Sequence, residues 1–121
     1  LLRIGGEDYV RAIQASHEDG SLTFFCAIDQ GLVLRVGGGE SLPVRLANEM
    51  CHLESALGEL SLVIGFDCIL RRLEVLNRGQ REDVQRVLSK TPFVGFSTYG
   101  EQFNGIHVNQ TLTGVAIGVA A

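Results

Sequence analysis

The sequence predicts a mixed α/β (α+β) domain: one mixed β-sheet of about six strands carrying two main helices, in the order βββ-α-β-α-ββ. Three observations predict it. The first third of the chain is a series of short β-prone segments broken by turn dipeptides. The middle alternates helical apolar spacing with one continuous apolar run, LSLVIGF, from Leu60 to Phe66. The last quarter returns to β-branched stretches, ending LTGVAIGVAA.

Taken in order, Tyr9, Val10 and Ile13 lead into His17-Glu18-Asp19-Gly20, where Asp-Gly favours a tight hairpin because both central residues adopt positive φ. Leu22 to Ile28 is the return strand, Asp29-Gln30-Gly31 a second turn, and Leu32 to Val36 a third strand. Gly37-Gly38-Gly39 breaks the pattern. No Lys-Ser/Thr follows it and no GxGxxG spacing contains it, so it reads as a connector and not as a phosphate loop. Ser41 and Pro43 open a helix whose Leu46, Met50, Leu53 and Leu57 recur at helical spacing until Gly58. Leu60 to Phe66 has the composition of a strand covered on both faces. Ile69, Leu70, Leu73 and Leu76 predict the next helix, and a further helical stretch carries Val84, Val87 and Leu88 up to Thr91-Pro92. Phe93 to Phe96 and Val108 to Val119 are the closing strands. Strand-helix-strand alternation requires a right-handed crossover and so some parallel pairing.

The chain has 121 residues, 45% hydrophobic and 20% charged, which suits one folded domain over residues 1–121. It starts Leu1-Leu2-Arg3, with no initiator methionine or signal-peptide pattern, and so reads as a piece of a longer chain. A net charge of −4 without a basic patch argues against nucleic acid as a partner, and no apolar run reaches membrane-span length. Cys26, Cys51 and Cys68 are odd in number and lack CxxC spacing. The expectation is free thiols in a reducing, cytoplasmic setting, with no structural metal.

Three places concentrate chemistry. In FDCILRR, Asp67-Cys68 sits where a strand becomes a helix, with Arg71 one turn further. The plain reading is an N-cap, a packed thiol and an Asp-Arg ion pair; the functional one is a frame for a ligand's charged groups. In GFSTYGEQFNG, Tyr99 and Glu101 lie on a loop at a strand end, where Gly95, Gly100 and Gly105 allow tight turns or close approach to a ligand. In HVNQT, alternation puts His107, Asn109 and Thr111 on one face, away from Val108 and Gln110. His17 belongs to a turn, and His52 points away from Cys51 on its helix. An enzyme using Cys68 as nucleophile and His107 as base matches no catalytic spacing and ranks last.

In combination, IGGEDYVRAI, EDGSLTFFCAI, GLVLRV, FDCILRR, GFSTYGEQ and HVNQTLTGV resemble the C-terminal domain of the FIST family across essentially the whole chain. The resemblance implies a sensory module of an intracellular signalling protein, partnered by an N-terminal FIST domain and by a histidine kinase or cyclic-dinucleotide enzyme. It implies a small-molecule ligand such as an amino acid derivative, held by Asp67, Cys68, Arg71, Tyr99, Glu101, His107, Asn109 and Thr111. Some bacterial members are haem proteins that sense nitric oxide. In that branch His107 is the first choice of axial ligand and Cys68 the second.

Overall fold

The structure, a computed structural model, describes residues 1–119. Two hairpins come first: β1 (Leu2–Ile4) with β2 (Glu7–Tyr9), and β3 (Ile13–Ser16) with β4 (Leu22–Phe24). The expected turn at His17–Gly20 is present. Asp19 Oδ1 accepts from the Ser21 amide and hydroxyl at 2.9 and 2.7 Å, which holds its carboxyl below the usual carboxylate range. The predicted strand over Leu32–Val36 is reduced to a single bridge, Leu2 to Leu34, plus hydrogen bonds between Leu1 and Arg35.

Helix α1 (Leu42–Leu57) carries Pro43 in its first turn and stops at Gly58, whose φ of 77° few other residues adopt at low cost. Strand β5 (Leu60–Cys68) follows, then α2 (Ile69–Asn77), α3 (Arg81–Leu88) and β6 (Phe93–Thr98). A small hairpin, β7 (Glu101–Phe103) with β8 (Ile106–Val108), precedes β9 (Leu112–Gly118). The central sheet has the order β6-β5-β9. β6 runs parallel to β5 through the helical crossover, and β9 runs antiparallel on the other side.

Helical periodicity and sheet alternation meet in one core. Leu46 and Met50 of α1 pack on Leu60 and Val63 of β5, with Val84, Val87 and Leu88 of α3 and Phe93, Leu112 and Ala116 of the sheet around them. Three glycines, Gly65, Gly95 and Gly114, lie side by side across the three strands. A Cβ on Gly65 would stand 2.4 Å from the Phe93 ring, so the ring lies over bare backbone there.

The α+β class and the mixed pairing are as the sequence predicts. The differences are local. Among the described residues there are nine strands where about six were expected, because the sheet is divided into one three-stranded and several two-stranded pieces. Instead of two main helices there are three among the described residues, since Gly79, at φ 64°, separates α2 from α3. The long closing strand from Val108 is interrupted: Gln110 adopts φ 55° and turns the chain between β8 and β9.

Candidate functional site

Asp67, Cys68, Arg71, Glu101 and Thr111, among the sequence's candidate residues, meet at the C-terminal end of β5. Cys68, the last residue of that strand and the N-cap of α2, is fully buried. Thr98 stands beside it in register on β6, and on the other side the Cys68 amide donates to the Thr111 carbonyl at 3.0 Å. Glu101, the first residue of β7, lies across this row. Thr98 Oγ1 donates to Glu101 Oε1, and Thr111 Oγ1 donates to Oε2 at 2.7 Å. One carboxylate therefore ties β6 to the start of β9 over the end of β5. Glu101 is only 4% exposed, and its partners are neutral hydroxyls, with no cation in ion-pair contact among the described residues.

Asp67 forms the second part. Arg71, one turn along α2, donates Nε–H to Asp67 Oδ1 at 2.7 Å, as the i,i+4 spacing allows. Burial pushes the Asp67 carboxyl up; the Arg71 guanidinium opposes that shift, and the negative charge of Glu101 adds to it. Two carboxylates thus share a partly desolvated corner in which Arg71 already serves one of them.

The third part is the turn that follows β8. Asn109 is 2% exposed, and its Nδ2 lies 3.3 Å from His107 Nε2. Its Oδ1 is buried with no hydrogen-bond partner. A buried carbonyl oxygen without a donor costs about 1–3 kcal/mol. Gly100 is what lets this turn close: a Cβ there would come within 2.3 Å of His107 Nε2. His107 is itself exposed at the rim, and its backbone carbonyl accepts from Arg11 Nη1 at 3.0 Å.

Of the sequence-predicted residues, Asp67 and Arg71 meet, Glu101 meets Thr111, and His107 meets Asn109. Tyr99 does not join them; it is 93% exposed. Thr98 and Arg11 are the contributors that sequence reasoning missed. Thr98 lies within the quoted GFSTYGEQ stretch, but its register against Cys68 is set by the fold and leaves no mark in the sequence. Arg11 lies 96 residues from His107, with no local pattern to link them.

Chemically, the arrangement holds acceptors in place; it does not assemble a nucleophile with its base. Cys68 is out of solvent, burial pushes the Cys26 thiol up, and the hydrogen bond that the His107 ring makes goes to Asn109. Nothing in the geometry supports a haem at either of the expected axial ligands. Nε2 of His107 already faces the Asn109 amide at 3.3 Å, and Cys68 is fully buried. Among the described residues no three His, Cys, Asp or Glu side chains gather to hold a metal ion, and no helix is long and apolar enough to cross a membrane.

Fold and site together define a small α+β domain with a closed polar cluster at one end of its central sheet. A family model described as the FIST C domain matches residues 1–104, and the chain belongs to that family. FIST C domains are sensory domains of signal-transduction proteins. The match takes in FDCILRR and GFSTYGEQ and ends before His107, Asn109 and Thr111. No curated protein and no solved structure matches the chain.

Proposed function

We propose that this domain senses a small molecule bearing a hydrogen-bond-donating, positively charged group, such as an amino acid derivative, at the Asp67–Glu101–Asn109 cluster. The observation that carries the reading is the acceptor surplus. Glu101 is buried against neutral hydroxyls, and the buried Asn109 Oδ1 has no donor. Buried acceptors of this kind are stabilised by an incoming donor and resist an incoming anion. Arg71 steadies Asp67, while Thr98, Thr111 and Cys68 shape the floor. His107 and Tyr99, both exposed, form the rim that an N-terminal FIST domain of the same signalling protein completes.

Binding would draw Glu101 away from Thr98 or Thr111 and so loosen the β7–β8 hairpin from the sheet. That displacement is the signal offered to a cytoplasmic partner such as a histidine kinase or a cyclic-dinucleotide enzyme. Calorimetric titration with free amino acids, their decarboxylated amines and their deaminated acids tests the reading. Amine-bearing compounds bind, and Glu101→Gln weakens them at least about tenfold, the scale of one lost charge-assisted hydrogen bond. Binding by the deaminated acids alone would overturn it.

A further inference from the structure

The tip of the β7–β8 hairpin is Asn104-Gly105, and no other asparagine of this chain precedes a glycine. Both residues adopt positive φ, 51° and 77°, as a two-residue type I′ turn requires. Both are exposed, and a Cβ on Gly105 would find no atom within 4 Å, so that side of the turn is open. The hairpin pairs only Glu101 with Val108, Gln102 with His107 and Phe103 with Ile106. A ribbon that short is marginally stable by itself, so its tip opens locally and often. The remaining asparagines are placed differently. Asn48 and Asn77 lie in α1 and α2, before Glu49 and Arg78, and Asn109 is 2% exposed.

We propose that Asn104 is a self-modification site, where loss of ammonia converts the Asn-Gly turn into an isoaspartyl-glycine link and releases the hairpin. With the turn open, the Gly105 main-chain nitrogen attacks Asn104 Cγ. An N–Cγ bond forms and the Cγ–Nδ2 bond breaks. Nδ2 leaves as ammonia, carrying the proton that the Gly105 amide gives up, and a five-membered succinimide ring remains. Water then adds across one of the ring's two C–N bonds, hydroxyl to the carbonyl carbon and proton to the nitrogen. Opening at the main-chain carbonyl leaves isoaspartate; opening at Cγ leaves aspartate. Nothing is oxidised or reduced, and water is the one co-reactant. Glycine favours the attack because it has no Cβ to crowd the ring and its backbone is free to reach it.

The isoaspartyl link routes the main chain through Cβ, adding one carbon, and leaves the former main-chain carboxyl as a charged branch. A two-residue turn sets the register of the strands it joins. The extra atom therefore displaces Phe103 from Ile106 and, two residues further along β7, Glu101 from Val108. Glu101 then comes away from the Thr98 and Thr111 hydroxyls, and the polar cluster opens. This chemistry belongs to the covalent chain and is independent of any ligand at that cluster.

Incubation of the whole chain in mildly alkaline buffer at body temperature tests the proposal, read by peptide mapping with fragmentation that separates isoaspartate from aspartate. Conversion at Asn104 is expected at least about tenfold faster than at Asn48, Asn77 or Asn109, whose neighbours carry a Cβ and whose surroundings must open further. Asn104→Gln stops it, because the longer side chain would have to close a six-membered ring; Gln110, at φ 55°, shows that glutamine holds such a turn in this fold. The isoaspartyl form, isolated by its added charge, loses amide-exchange protection over residues 101–108 by at least about tenfold. Asn104→Asp, with the same charge on an ordinary backbone, keeps that protection. An Asn104 that converts no faster than the other three overturns the proposal, as does an isoaspartyl form no less protected than Asn104→Asp.

Discussion

Glu101 is the residue whose environment departs furthest from what its type prefers, since glutamate is rarely buried without a cation. Its removal is correspondingly costly. Glu101→Ala leaves the Thr98 and Thr111 hydroxyls without their acceptor in a closed site and lowers unfolding free energy by about 2–4 kcal/mol in urea titrations. Asp67 gives a pH signature. Its folded pKa is raised, so the native state binds the proton more tightly than the unfolded chain. Stability therefore falls as pH rises from the model-peptide value of 3.8 through the folded value, and it is regained on acidification. Asp67→Asn flattens that limb of the urea-midpoint profile, while Arg71→Lys keeps it. At this scale the residue types and the 67/71 pairing were legible in the sequence. The Glu101 contacts were not, because a carboxylate in GFSTYGEQ looks the same whether it meets solvent or two threonines.

Among the elements, β5 fixes most of the geometry. Its continuous apolar run predicts a strand covered on both sides by neighbours, and it pairs with β6 and β9 as that composition requires. The glycine row bears on its packing. Gly65→Ala drives a methyl into the Phe93 ring and costs about 1–3 kcal/mol, read as a lowered thermal midpoint. Gly114→Ala is worse, because its Cβ would stand 2.2 Å from the Ile64 carbonyl oxygen, and backbone cannot step aside. The long helix was legible from its periodicity and Gly58. The two small hairpins that the sequence did not predict, β1–β2 and β7–β8, were hidden because three-residue strands have too short a pattern to register as alternation. In the closing strand, the positive φ of Gln110 overrode the apparent continuity.

Across the whole molecule, burial is uneven. The core joins α1, α3 and the central sheet, whereas residues 29–41 are exposed throughout. Amide hydrogen exchange should follow that division. Amides of β5 are protected to near the global unfolding free energy, and those of residues 29–40 exchange at least about 100-fold faster. The order of pairing along the chain has a further effect. β9 hydrogen-bonds to β5 from Leu60 to Asp67, yet all of it lies beyond residue 104, where the family match stops. Protein truncated at that boundary would keep the crossover and lose the strand that shields one flank of β5. The bare apolar ladder it exposes is a template for intermolecular strand addition, so such a fragment should precipitate where the 121-residue chain stays in solution.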